Sequence, residues 1–122
     1  MKYLCLVYGE EKAIQSVDDH HCLAYDQSIR ASGHCLSSEA LQPVATATTV
    51  RVRNGKVSVT DGPFAETKEY LAGFYMIEAR DLNEAIQLAA RIPPASVGSI
   101  EVRPIRPIRE VPNAHATQKT NP

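Results

Sequence analysis

Leu71-Ala72-Gly73-Phe74-Tyr75-Met76-Ile77-Glu78-Ala79 reads as a strand with two apolar faces. Side chains alternate along a strand, so Phe74 and Met76 share one side and Tyr75 and Ile77 the other. A strand of this kind is expected inside a sheet, covered above and below. Lys2 to Tyr8 has the same character, with Leu4, Leu6 and Tyr8 opposed to Tyr3, Cys5 and Val7. These two stretches are therefore placed side by side at the centre of one sheet, spanning residues 71–79 and 2–8. Gly73 marks a bulge or a close approach of a neighbouring backbone.

Working outward, residues 17–32 form a predicted helix, with Ser16 as its N-cap and Asp18 and Asp19 in the first turn. Its apolar stripe is Cys22, Tyr25 and Ile29, and Gly33 closes it. A second helix opens at Asp81, with Glu84 at the capping-box position. Leu82, Ala85, Ile86 and Ala89 supply its stripe, and Pro93-Pro94 ends it. His34–Leu41 and Ser99–Ile105 read as the remaining strands. Between Thr48 and Thr60, Asn54-Gly55 separates two alternating runs, a two-residue hairpin signal. Val50 then faces Val59 and Val52 faces Val57, with Arg51, Arg53 and Lys56 on the other side.

With the hairpin taken as an insertion, the order β-α-β-β-α-β is the ferredoxin-like α+β pattern. Two helices cover one sheet face. The other face is too apolar to be left in water, so a homodimer with sheets face to face is expected.

The 122 residues are 43% hydrophobic, with 13 basic and 14 acidic side chains. One domain over residues 1–110 is expected, with a polar tail over 111–122. Near-neutral charge points away from nucleic acid, and the absence of a long apolar run points away from a membrane span. Cys5, Cys22 and Cys35 are widely spaced, which fits a reduced, cytoplasmic protein. There is no glycine-rich phosphate loop, no Gly-x-Ser-x-Gly and no zinc-ligand spacing. No cofactor and no metal are expected.

The stretch Asp61-Gly62-Pro63-Phe64-Ala65-Glu66-Thr67-Lys68-Glu69 resembles the signature of the DGPF subgroup of the YCII-related domain family. Leu41-Gln42-Pro43 before the hairpin, and Gly73–Glu78 with Asp81-Leu82 after it, are similar to that family too. Ala89–Pro93 and Ser99–Pro104 continue the likeness, which covers about residues 2–105. The resemblance implies a dimeric α+β barrel of ferredoxin-like subunits. It also implies kinship with small enzymes acting on cyclic or aromatic compounds, and with proteins often encoded near extracytoplasmic-function sigma factors. YciI-type members carry a proposed histidine on helix one and an aspartate ending strand one. Here His20 and His21 lie in that helix, but Gly9-Glu10 stands where the aspartate would be.

Asp61 heads the candidate residues, either as the cap of its own turn or as a general base. Glu66 and Lys68 follow it closely, and a cation beside two carboxylates can tune one of them. His21 lies nearer the helix's apolar stripe than His20 and is the candidate acid–base partner. Phe64, Glu66, Lys68 and Arg51 are candidate substrate contacts. His34, in an edge strand, and His115, in the tail, are set aside. The expected function is a cofactor-free dimeric enzyme acting on a small organic molecule by elimination or isomerisation. The alternative is a non-catalytic small-molecule-binding or regulatory partner of a sigma factor.

Overall fold

A computed structural model describes residues 1–108. The expectations for the 111–122 tail and His115 lie outside the described residues. In chain order the elements are β1 (Lys2–Gly9), α1 (Glu11–Gln15), α2 (Asp19–Ala31) and β2 (Cys35–Ala40). The ribbon β3 (Thr48–Arg53) and β4 (Lys56–Asp61) comes next, then β5 (Tyr70–Glu78), α3 (Leu82–Ala89) and β6 (Ser99–Pro104). Short 3-10 turns occupy Val44–Thr46 and Pro93–Ser96.

Four strands form one antiparallel sheet in the order β2-β5-β1-β6. This is the ferredoxin-like arrangement, and the two strands with apolar residues on both faces are the central ones. Tyr3 pairs with Ile77 and Cys5 with Tyr75 on the face beneath the helices. Leu4 pairs with Met76 and Leu6 with Phe74 on the open face. The core gathers on the helix side, where Tyr3, Cys5, Val7, Ile29, Ile77 and Ala85 are all buried. Burying such side chains is the dominant favourable term in folding.

Gly73 satisfies both readings made of it. The β1–β5 register slips between Val7 and Tyr8, opposite Gly73 and Leu71. A Cβ on Gly73 would also stand 2.8 Å from the Glu39 carbonyl oxygen of β2, closer than such atoms approach.

The first helix departs from expectation. Glu11–Gln15 is a separate short helix, and Ser16 ends it rather than opening the next one. Ser16 is itself helical, and its hydroxyl donates back to the Ala13 carbonyl at 2.6 Å. Asp18 is the extended residue, and its carboxylate accepts from the His20 N–H at 2.9 Å, so it is the N-cap of α2. Five polar-rich residues are too few to show a helical period, which is why α1 escaped the reading. At α3 the cap is as expected. Asp81 accepts from the Glu84 N–H at 2.9 Å, while the Glu84 carboxylate reaches back to the Arg80 N–H at 2.8 Å.

The β3–β4 ribbon turns at Asn54-Gly55, both with positive φ as a tight hairpin turn requires. Its register is the expected one, including Val50 with Val59 and Val52 with Val57. It forms a sheet of its own, not hydrogen-bonded to the four-stranded one. Among the described residues no helix is long and apolar enough to cross a membrane.

Candidate functional site

The stripe of α2 is buried at one end and open at the other. Ile29 is 2% exposed, while Tyr25 and Cys22, one and two turns earlier, are only partly covered. The first half of α2 therefore stands off the sheet. Beneath it the strands carry small residues, Ser38 and Ala40 on β2 and Ala72 and Gly73 on β5. Small side chains under a lifted helix leave a cleft of about 460 Å³. Ile14 and Val17 close one end, and Leu23 and Tyr75 contribute further apolar wall.

The polar groups of this cleft converge from two elements. The Asp26 carboxylate accepts from the Arg30 Nε at 3.0 Å and from the Ser38 hydroxyl at 2.6 Å. Arg30 also donates through Nη2 to the Ser38 hydroxyl oxygen at 2.7 Å. The three side chains close a ring of hydrogen bonds that ties α2 to β2. A carboxylate engaged by two donors is committed to those bonds and holds its neighbours in place.

Tyr75 is different. Its ring meets Tyr25 edge-on, with centroids 5.5 Å apart. The Tyr25 hydroxyl donates to the Leu88 carbonyl at 2.8 Å and so joins α2 to α3. The Tyr75 hydroxyl makes no hydrogen bond to the described residues. Burial, and then the negative charge of Asp26, push this phenol up to about 12. At neutral pH it is protonated, a donor left without a partner among the described residues. Burial also raises the Cys22 thiol, with Asp19 and Asp18 adding to the effect. That thiol is kept from its nucleophilic form.

The loop singled out from the sequence lies elsewhere. Asp61, Glu66 and Lys68 are exposed, and Phe64 is 79% exposed. None of them lines this cleft or the smaller one of about 170 Å³ beside Ile14 and Pro43. Asp61 ends β4 opposite Thr48 and makes no side-chain hydrogen bond to the described residues. The loop is anchored by others. Thr49 donates to the Gly62 carbonyl at 2.8 Å, and Arg51 donates to the Phe64 carbonyl at 3.2 Å. Arg51 and Phe64 are thus brought together; Asp61 and His21 are not seen to share a cavity. Lys68 stands 4.0 Å from Glu10, an exposed pair of little energetic weight. His21 and His20 are both exposed on α2.

Asp26, Arg30, Ser38 and Tyr75 were not singled out from the sequence. One signal was present. Asp26 lies four residues after Cys22, on the covered side of α2, and a carboxylate there requires a partner. Arg30 is the residue four further on. Ser38 carried no such signal, because its orientation depends on a bulge in β2.

Among the described residues no group of three or more His, Cys, Asp and Glu side chains is placed to hold a metal ion. All three cysteines are free thiols.

Comparison with known proteins follows the fold. The chain is 49% identical over 67 residues to an uncharacterized protein of Rhizobium meliloti (strain 1021). That match takes in 53% of this chain and 54% of the relative, so it spans about half the length of the curated protein. The family model of the YCII-related domain matches residues 1–109. With its antiparallel sheet and its helices on one face, this chain belongs to the YCII-related domain family.

Proposed function

We propose that the chain binds a small organic molecule in the cleft beneath α2, as a homodimer whose copies meet through their open sheet faces. The observation that carries this reading is the composition of the cleft. An apolar wall borders a few convergent polar groups, and one of them, Tyr75, lines the cleft with a hydroxyl that bonds none of the described residues. Apolar enclosure supplies affinity and a small number of placed donors supplies orientation. The Asp26–Ser38–Arg30 ring holds the polar side of the cleft in one geometry before a ligand arrives.

A catalytic reading draws on the same hydroxyl. A protonated phenol in this wall donates to an oxygen on which negative charge develops, as in elimination or enolisation next to a carbonyl. Asp19 lines the same cleft outside the Arg30 ring and is the carboxylate placed to act as the base. This reading needs no cofactor. A regulatory partnership with a sigma factor would use the same cleft as a sensor and requires no turnover.

Thermal denaturation against a panel of small cyclic and aromatic compounds tests the site. A ligand of the folded state raises the midpoint in proportion to its occupancy. Leu23 lines the cleft and is 54% exposed, so Leu23→Trp fills the space without opening the core. Hits should be lost in Leu23→Trp and retained in Asp61→Asn. Retention in Leu23→Trp with loss in Asp61→Asn would move the site to the 61–69 loop. Product formation from a bound hit separates the enzyme from the sensor.

A further inference from the structure

The β3–β4 ribbon alternates as a half-buried strand pair does, yet it stays exposed among the described residues. Val50, Val52, Val57 and Val59 share one face and are 61%, 57%, 69% and 63% exposed. Arg51, Arg53, Lys56 and Ser58 share the other. An antiparallel pair with one apolar and one charged face normally lays the apolar face on a partner. A two-stranded ribbon by itself is at best marginally stable in water. This ribbon is nonetheless well defined. Its base is held by the Gly62 N–H donating to the Ala47 carbonyl at 2.7 Å and by Thr49 and Arg51 gripping the loop beyond. A preset apolar face of four β-branched residues, with Phe64 close to its base, is a docking surface.

We infer that the valine face of the ribbon seats on the open sheet face of a second copy of this chain. The inference rests on the dimer proposed above and adds to it a second point of contact. Two observations select a second copy as the occupant. The first is that the described residues leave two apolar surfaces without cover, the ribbon face and the open face of Leu4, Leu6, Phe74 and Met76. In a two-fold dimer the sheet faces meet at the centre and each ribbon reaches onto the partner's sheet beside them, so both surfaces of both copies are covered.

The second is area. A stable interface takes roughly 20–30 residues from each partner. The open face supplies only about a dozen outward residues over four strands, short of that range. Adding the ribbon's apolar face and Phe64 brings the total to about 20, at the range's lower edge. The basic face remains in water and keeps the ribbon from stacking into longer assemblies. Asp61, on the valine side of the register, then lies at the border of the interface.

Sedimentation velocity at micromolar concentration on the full chain tests this, with three variants. Val57→Asp introduces a charge on the ribbon. Val50→Thr with Val59→Thr keeps strand propensity while making the same face polar. Met76→Arg charges the open sheet face. The expected result is a dimer for the natural sequence and at least tenfold weaker dimerisation for all three, with circular dichroism unchanged. A tight dimer in both ribbon variants, with Met76→Arg monomeric, overturns the inference and leaves the sheet-face dimer standing. Weakening by the ribbon variants alone also overturns it, because the seat is then not the open face. A monomeric natural sequence removes the dimer and the inference together.

Discussion

Tyr3, Cys5 and Val7 on β1 are at most 4% exposed, while the four ribbon valines are 57–69% exposed. Both stretches alternate, and both fold as antiparallel strands with the pairing that their pattern calls for. The difference lies in what the topology sets against them. β1 has strands on both sides and helices above it. The ribbon has only its own two strands and a tight turn. Forming a strand is a local matter of turn chemistry and β-branching, whereas burying it is decided by the rest of the chain. In this molecule the two are separated cleanly enough to be measured separately.

The sharpest contrast is a matched pair of truncations. Ile77→Ala empties a site that is 1% exposed and should cost about 2–5 kcal/mol in chemical denaturation. Val57→Ala removes methyls already in water and should change the stability of the monomer by less than about 0.5 kcal/mol. Similar losses from both would erase the distinction between the regions.

A pH titration reaches only the core side of the comparison. Burial, and then Cys35, push the Cys5 thiol from its ordinary 9.0 up to about 11. The folded chain keeps this thiol protonated while the unfolded chain ionises it. Its contribution is therefore full below pH 9 and lost as pH rises from 9 to about 11. The denaturation midpoint should fall over that interval. Cys5→Ala, though less stable throughout, should fall less steeply; an identical slope would discount the thiol.

Gly55 probes the ribbon. Its φ is +75°, so Gly55→Ala is strained by about 1–2 kcal/mol. That strain should appear as faster amide exchange in residues 48–61, with the global midpoint nearly unmoved. A matching global loss would mean that the ribbon unfolds together with the core.

Asp81→Ala removes the α3 cap beside the core and should cost about 1 kcal/mol globally. The smallest change in stability is expected for Tyr75→Phe, within about 0.5 kcal/mol, because its hydroxyl bonds none of the described residues. The same variant should weaken a cleft ligand by about 1 kcal/mol, roughly fivefold by calorimetry. Unchanged affinity would remove Tyr75 from the proposed site.

Most of the architecture could be read from residue pattern. Stretches 2–8 and 71–79 are central because they are apolar on both faces, and Asn54-Gly55 sets the ribbon because those residues tolerate positive φ. Asp81 with Glu84 marks the start of α3 because both side chains find orphan N–H groups within one turn. These are local signals, each needing only a few consecutive residues. The reading of α2 erred at its start for a local reason too, since Ser16 and Asp18 are both good caps and only their backbone angles distinguish them. The cleft was not legible in this way. Asp61-Gly62-Pro63 drew attention as a charged, rigid turn, yet it borders the ribbon rather than the cleft.

Sequence by itself determined which stretches are strands, which are helices, which strands are central and that the ribbon has one apolar face. Tertiary structure decided which side chains meet. Between Cys35 and Ser37 the β2 register slips against β5, so Cys35 and Ser38 both face the helices, paired with Ile77 and Tyr75. Strict alternation would have turned Ser37 inward instead, and a one-residue slip exchanges the faces of everything beyond it. That slip places the Ser38 hydroxyl 2.6 Å from Asp26 and completes the polar side of the cleft. It depends on the pairing of β2 with a strand more than thirty residues later in the chain, which no local pattern encodes.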